Sequence, residues 1–153
     1  MMFTGLIALL IVALDRSTKL WAVSHLKGKA SLSVIEKFFQ LTYVENRGVA
    51  FGLFAQLNVV LPILSLGLIL FLMAMARKYQ NRGKRILLPL AFIIGGAIGN
   101  LIDRMTTKYV VDFLSFRFGN YDFPVFNVAD IFVSLGAFFL LLFFLREEEG
   151  EKG

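Results

Sequence analysis

Long apolar segments with almost no charge constrain this chain more than any other feature. Residues 57–76 and 86–102 contain no charged side chain, and residues 126–145 contain only Asp130. A helix needs about 20 mostly apolar residues to cross a bilayer. A further apolar segment, residues 3–24, is interrupted by polar residues. Because it lacks the basic start and the small-residue cleavage site of a secretory signal, we interpret it as a retained span.

These four spans predict an all-α transmembrane fold, a four-helix membrane bundle, that forms a single integral membrane domain over residues 1–153. The composition agrees, because 58% of the residues are hydrophobic and 18% are charged, whereas soluble domains average about 45–50% apolar and about 25% charged residues. The sequence has no cysteine, and His25 is its single histidine. This excludes disulfide scaffolds, thiol nucleophiles and Cys/His zinc sites and disfavours a Ser-His-Asp triad, so we expect neither a metal nor a cofactor.

The distribution of basic residues predicts the orientation of the chain. The loop between the second and third spans has five basic residues and no acid: Arg77, Lys78, Arg82, Lys84 and Arg85. The positive-inside rule places such a loop in the cytoplasm. Both termini are then cytoplasmic, and residues 25–56 and 103–125 lie on the outer side. Because basic residues flank the apolar segments, the net charge of +5 indicates membrane lipids, and not a nucleic acid, as the partner.

The first outer segment predicts a small extracytoplasmic β-sheet. Residues 32–35 and 38–44 are rich in β-branched and aromatic side chains and are separated by charged residues. Asn46, Arg47 and Gly48 follow, a sequence typical of a turn, with contact to a ligand as the alternative.

Polar side chains within or beside the spans are candidates for a functional site, because a charge in a membrane is costly unless it is paired or meets water. With the orientation above, all of these side chains lie toward the outer leaflet. They are Asp15, Lys19, Asn100, Asp103, Arg104, Asp112, Asn127 and Asp130. None of them has to lie at the bilayer centre.

Several of these residues also have a simple structural explanation. Asp15 and Lys19, at positions i and i+4, fit an intrahelical ion pair. Asn127 is a good N-cap and places Asp130 at the third helical position, where the helix dipole favours an acid. Arg104 fits a side chain that extends to the membrane interface.

The third span combines a polar stripe with glycines. Asn100 shares a helical face with the pair Asp103-Arg104. Gly95, Gly96 and Gly99 favour close packing against a neighbouring helix.

Asp112 has no comparable structural explanation. It is flanked by two apolar residues on either side, in a stretch that predicts a strand or irregular chain. Burial raises the pKa of a carboxyl group, and a second carboxylate nearby raises it further. If Asp112 faces Asp130, the two can share one proton near neutral pH, so that one is a base and the other an acid.

Two carboxylates that hold one proton can hydrolyse an amide without a covalent intermediate. The ionised one takes a proton from the attacking water, and the protonated one donates to the carbonyl oxygen. With thiol, triad and Cys/His metal chemistry excluded, an aspartyl membrane peptidase is the enzyme class best supported. The alternatives are a small four-span ion or proton transporter, disfavoured because the polar groups cluster at one leaflet, and a structural subunit, which leaves Asp112 without a role.

Five short motifs occur in order along nearly the whole chain. They are Asp15-Arg16-Ser17-Thr18-Lys19, Asn46-Arg47-Gly48-Val49-Ala50-Phe51, Gly95-Gly96-Ala97-Ile98-Gly99-Asn100-Leu101-Ile102-Asp103-Arg104, Val110-Val111-Asp112-Phe113 and Phe126-Asn127-Val128-Ala129-Asp130. In this order and spacing they resemble the motifs of the bacterial lipoprotein signal peptidases, the signal peptidase II family. Arg16 departs from that pattern, since many members have glutamine at this position.

The resemblance implies a catalytic dyad of Asp112 and Asp130. It also implies that nine further motif residues bind the substrate or order the site: Asp15, Lys19, Asn46, Gly48, Asn100, Asp103, Arg104, Asn127 and Ala129. The implied substrate is a lipid-modified prolipoprotein, cut just before its diacylglyceryl-cysteine at the bacterial cytoplasmic membrane. Cyclic peptide antibiotics of the globomycin type are the implied inhibitors.

Overall fold

The fold was obtained as a computed structural model, which describes residues 1–48 and 57–151. Four helices alternate with four strands in the order α1 (Met2–Leu26), β1 (Leu32–Ile35), β2 (Phe39–Asn46), α2 (Leu57–Lys78), α3 (Lys84–Thr106), β3 (Val110–Phe118), β4 (Tyr121–Asp122) and α4 (Val128–Glu151). Residues 49–51, which complete the second motif, lie outside the described residues.

Three of these helices are long and apolar enough to cross a membrane. Within the described ranges they cover Val59–Lys78, Lys84–Thr106 and Val128–Glu147. Helix α1 has 25 residues, enough to cross the roughly 30 Å hydrocarbon layer at about 1.5 Å per residue. It is not among the three apolar helices, because its charged residues interrupt the apolar segment. Long apolar helices of this kind are those of a multi-pass membrane protein.

Helix α4 begins two residues later than the span predicted from the sequence. The backbone of Phe126 is paired with that of Leu114 instead, through hydrogen bonds of 2.9 and 3.1 Å in the two directions. The helix therefore starts at Val128, directly after Asn127. This pairing attaches the start of α4 to strand β3.

Helix α3 lies at the centre of the helical part. In its apolar segment 61% of the residues are buried, against 17% in α2 and 11% in α4. Glycines allow this close packing: a Cβ atom at Gly95 would lie 2.9 Å from the carbonyl oxygen of Ala8 in α1, and one at Gly96 would lie 2.8 Å from Val133 in α4. The predicted packing role of these glycines is confirmed.

The strands form one antiparallel sheet in the order β1-β2-β3-β4. The predicted strands of the first outer segment are confirmed, and β3, from the second outer segment, pairs with β2 so that Val44 lies opposite Asp112. Val111 and Phe113 pack against the end of α1 at Ala22 and Leu26. Because successive side chains in a strand point to opposite faces, Asp112 faces away from this apolar cluster.

Candidate active site

Asp130 lies in the first turn of α4, where Asn127 caps the helix. The side-chain oxygen of Asn127 accepts a hydrogen bond from the backbone N–H of Asp130 at 3.0 Å, and the Asp130 carboxylate accepts one from the backbone N–H of Asn127 at 3.2 Å. The predicted cap is confirmed. The reciprocal pair of bonds satisfies two donors at the helix start and holds the Asp130 carboxylate at the first turn of α4.

Asp112 is buried on β3 and accepts hydrogen bonds from two amide groups. Its Oδ2 accepts a hydrogen bond from Asn46 Nδ2 at 2.8 Å, and its Oδ1 accepts one from Asn127 Nδ2 at 2.6 Å. Burial raises the pKa of Asp112 to about 6, although both amides favour the ionised form. The charge of Asp130 raises this pKa further and that of Lys19 lowers it. The raised pKa expected from the sequence is confirmed.

Asn100 connects the two aspartates. Its Nδ2 donates to Asp130 Oδ1 at 2.7 Å, and its Oδ1 accepts a hydrogen bond from Asn127 Nδ2 at 3.2 Å. Since Asn127 also binds Asp112, the carboxylates belong to one hydrogen-bonded cluster and are joined through two amides. Within the described part of the chain, no hydrogen bond joins the two carboxylates directly.

Lys19 is a fully buried cation that joins α1 to α3. Its Nζ lies 2.8 Å from Asp15 Oδ2 and 2.9 Å from Asp103 Oδ2, and it donates to Asn100 Oδ1 at 2.9 Å. The ammonium group therefore lies within 2.9 Å of three oxygen atoms. The intrahelical pair of Asp15 and Lys19 exists as predicted, and the same lysine also determines which way the amide of Asn100 points. With its oxygen on Lys19, Asn100 can only offer its NH2 group to Asp130.

The carboxylates beside Lys19 extend this network to the sheet and to α4. Asp15 Oδ1 accepts a hydrogen bond from the backbone N–H of Ala129 at 3.0 Å, and Asp103 Oδ2 accepts one from the backbone N–H of Val111 at 3.3 Å. The buried cluster therefore ties α1, α3, β3 and α4 together. Strand β3, which carries Asp112, and helix α4, which carries Asp130, are therefore both attached to this cluster.

Gly99 leaves the space that the Asp15 carboxylate occupies. A Cβ atom at residue 99 would lie 2.5 Å from Asp15 Oδ2. We predict that Gly99→Ala lowers the free energy of unfolding by about 1–3 kcal/mol, the usual cost of overpacking, and disturbs the candidate site by displacing Asp15. Thermal unfolding in detergent measures the first effect.

Gly67 in α2 provides the matched control for this substitution. A Cβ atom there would meet nothing within 4 Å, so Gly67→Ala should stabilise the helix by up to about 1 kcal/mol. Equal stability changes in the two variants would contradict the role given to Gly99.

The turn after β2 orients Asn46. The backbone N–H of Gly48 donates to Asn46 Oδ1 at 2.9 Å, and Gly48 has a φ of 71°, in the left-handed region that favours glycine. The predicted turn is confirmed. Because this bond occupies the oxygen of the Asn46 amide, its NH2 group is the part that faces Asp112.

Two arginines and the single histidine lie outside the hydrogen bonds of the two aspartates. Arg104 is half-buried and, among the described side chains, makes no hydrogen bond or ion pair, so it stands apart from the Lys19 cluster. Arg16, the departure from the family motif, forms an ion pair with Asp103 and thus joins the cluster. The sequence signal that could have predicted this role for Arg16 was its position about one helical turn before Lys19. His25 is exposed and stacks on Trp21 with ring centroids 5.0 Å apart, away from both aspartates.

Long apolar helices, with two carboxylates held by asparagine amides beside a small sheet, are the features of a membrane enzyme of the aspartic peptidase type. The sequence matches the family model described as "Signal peptidase (SPase) II" over residues 7–146. The chain therefore belongs to the signal peptidase II family.

Relatives and solved structures agree with this assignment. The chain is 42% identical to the lipoprotein signal peptidase of Clostridium tetani, with 94% of this chain and 92% of the relative covered. It is 41% identical to that of Clostridium novyi, with 93% and 97% covered. A solved bacterial membrane enzyme, 29% identical, has a TM-score of 0.85 to this structure over 95% of this chain and 94% of its own.

Proposed function

We propose that this signal peptidase II removes the signal peptide from lipid-modified prolipoproteins, cutting before the diacylglyceryl-cysteine, with Asp112 and Asp130 as its catalytic pair. The observation that carries the proposal is the single hydrogen-bonded cluster in which Asn100 and Asn127 hold both carboxylates. The two side chains come from a strand and a helix start, so only the tertiary structure brings them into one site.

The protonation of Asp112 distinguishes the roles of the two carboxylates. The raised pKa of Asp112 makes it the member that holds the shared proton. The Asp130 carboxylate lies in the first turn of α4, where it accepts hydrogen bonds from the backbone N–H of Asn127 and from the NH2 group of Asn100. We therefore assign Asp112 as the general acid and Asp130 as the general base.

The reaction then follows from these assignments. Asp130 takes a proton from a water molecule as its oxygen attacks the carbonyl carbon of the scissile amide, and Asp112 gives its proton to the carbonyl oxygen. The resulting tetrahedral diol collapses when the diol returns one hydroxyl proton to Asp112. Asp130 gives its proton to the leaving nitrogen as the carbon–nitrogen bond breaks. Each aspartate has then recovered its starting protonation state.

The other motif residues divide into two groups in this proposal. Arg104, with no partner among the described side chains, is assigned to the substrate, as is the NH2 face of Asn46. The remaining residues order the site: Asp15, Lys19, Gly48, Asn100, Asp103, Asn127 and Ala129. Ala129 does so through its backbone N–H on Asp15 and its carbonyl oxygen, which packs against Gly96.

The proposal includes the membrane topology. Helix α1 is the additional span that completes a four-helix bundle, since Lys19 and Arg16 pair with Asp15 and Asp103 within the protein. The basic α2–α3 loop and both termini are cytoplasmic, and the dyad, at the other end of α3, is extracytoplasmic. Inhibition by cyclic peptide antibiotics of the globomycin type remains a prediction from the resemblance.

A transporter is not supported by this arrangement. Among the described residues, every buried charged side chain lies at the dyad end of the helices: Asp15, Lys19, Asp103 and Asp112. Transport across a membrane requires polar groups along the whole path.

Cleavage of a diacylglyceryl-modified prolipoprotein by the purified protein tests the proposed function. We expect a product that begins with the modified cysteine, and much slower cleavage of the same prolipoprotein without its lipid. A folded protein that leaves the modified substrate intact would contradict the function.

The pH dependence of cleavage tests the assignment of acid and base. Because Asp112 must be protonated, we expect kcat/KM to fall as the pH rises through about 6. Asn46→Ala removes a hydrogen bond that favours the ionised form of Asp112. It should therefore raise the pKa of Asp112 and move the fall in kcat/KM to higher pH. Gln40→Ala, on the same strand but bonded to Ser115, is the control. A value of kcat/KM that instead rises as the pH increases through about 6 would reverse the two roles.

A further inference from the structure

A cavity lies between α3 and α4, at the end of these helices opposite the candidate dyad. It has a volume of about 660 Å3. Its lining comes from two stripes, Arg85, Leu88, Pro89 and Phe92 on α3 and Phe139, Leu142, Phe143 and Arg146 on α4. Each stripe repeats at intervals of three and four residues, so each is one face of its helix. We call this cavity the α3–α4 groove.

The groove has a charged mouth and an apolar interior. Arg85 and Arg146, from different helices, lie at the end next to the α2–α3 loop. From this end the groove follows α3 to Phe92, seven residues or about 10 Å along the axis. Aromatic and aliphatic side chains form its walls over that length.

The two arginines at the mouth are not neutralised within the described structure. Both side chains are exposed, and neither makes a hydrogen bond or ion pair with another described residue. The acid at the mouth, Glu147, is already paired with Arg82. Two guanidinium groups on adjacent helices match a phosphate group in charge and in hydrogen-bond geometry.

Pro89 adds an acceptor to these donors. A proline has no N–H, so the carbonyl oxygen of Arg85, four residues earlier, lacks its helical hydrogen-bond partner. Such a carbonyl oxygen can accept a hydrogen bond from a hydroxyl on the head group of a phospholipid.

We propose that the α3–α4 groove binds one anionic phospholipid from the leaflet beside the α2–α3 loop. Arg85 and Arg146 hold the phosphate, and one acyl chain lies between Phe92 and Phe143. Basic pockets between membrane helices have the charge and the apolar walls that such lipids require. The groove is separate from the candidate dyad, since Arg85 precedes Asn100 by fifteen residues, or about 22 Å along α3. The bound lipid stabilises the α3–α4 pair, which carries Asn100 and Asp130.

Binding is tested on the whole protein in dodecyl maltoside, with native mass spectrometry to count bound lipids and thermal unfolding as a second measurement. The probes are phosphatidylglycerol and phosphatidylcholine with identical acyl chains. We expect phosphatidylglycerol to bind at least about tenfold more tightly and to raise the unfolding temperature.

Two variants separate the groove from general surface charge. Arg85→Gln with Arg146→Gln should weaken phosphatidylglycerol binding about tenfold or more. The control, Arg77→Gln with Lys78→Gln, removes two exposed positive charges from the same end of the molecule, on α2, and should change binding by less than about twofold. Leu142→Trp fills the apolar part and should remove binding while both arginines remain.

Four results would overturn the proposal. Equal binding of the two lipids would mean that the groove binds apolar chains without selecting the head group. An equal loss of phosphatidylglycerol binding in the α2 control would mean that general surface charge, and not the groove, attracts the lipid. Stabilisation by inorganic phosphate as large as by the lipid would identify a free anion as the ligand. A dimer that Leu142→Trp disrupts would identify a second copy of the chain as the occupant.

Discussion

Replacing Asp112 or Asp130 by asparagine should lower prolipoprotein cleavage by roughly 100- to 10,000-fold, the usual contribution of a general acid or base. Asparagine has nearly the same shape but can neither release a proton as Asp112 does nor accept one as Asp130 does. The initial rate on a diacylglyceryl-modified prolipoprotein measures the effect, and circular dichroism and gel filtration establish that each variant is folded.

Asp122→Asn provides the matched control for this loss. Asp122 is exposed on β4 and paired with Arg117 at 2.5 Å, so the same chemical change there should leave the rate within about twofold. Full activity in a folded Asp112→Asn or Asp130→Asn variant would refute the dyad. A similar loss in all three variants would assign the effect to a general disturbance.

Lys19→Met should have the largest effect on stability. The substitution keeps the length of the side chain but leaves Asp15 and Asp103 buried without their cation. Breaking a buried ion pair in this way costs about 3–5 kcal/mol. It also frees the amide of Asn100 to turn its oxygen toward Asp130, so activity should fall in the molecules that remain folded. Unfolding in denaturant, followed in detergent, measures the first effect, and cleavage at a temperature where the variant is folded measures the second.

The ion pair of Lys27 and Glu45, 3.1 Å apart, provides the control, because there the same lysine-to-methionine substitution breaks an exposed pair and not a buried one. Lys27→Met should change stability little, because water and salt screen exposed pairs. A double-mutant cycle of Lys19→Met with Asp103→Asn should show a coupling of about 0.5–3 kcal/mol, since the second change removes a charge that the first left unpaired. Additive effects, or equal losses for Lys19 and Lys27, would contradict the buried-cation interpretation.

Local patterns in the sequence predict much of the fold. Apolar segments of helical length led to α2, α3 and α4, and the β-branched and aromatic residues led to β1 and β2. The N-cap at Asn127, the turn at Gly48 and the close packing at Gly95 and Gly96 were equally predictable. Each of these depends on a residue's own conformational preference or on partners a few positions away.

The exact ends of the helices and the long-range partners of the polar side chains were less predictable. Helix α4 starts later than its apolar segment because Phe126 pairs with Leu114, a strand contact that helical periodicity does not report. From the sequence, a proton shared by Asp112 and Asp130 depended on the condition that the two carboxylates face each other. The structure instead joins them through Asn100 and Asn127.

By itself, the sequence determined that this chain forms long membrane helices with a small sheet, and which polar residues those helices must accommodate, because hydropathy and capping act over a few residues. Only the tertiary structure decided how these residues meet. Asn46 binds Asp112 across 66 positions of sequence, Lys19 binds Asn100 across 81, and Asp15 binds Ala129 across 114. Such contacts depend on how α1, α3, α4 and the sheet pack together. That packing occupies the amide oxygen of each asparagine and leaves its NH2 group to donate to a carboxylate.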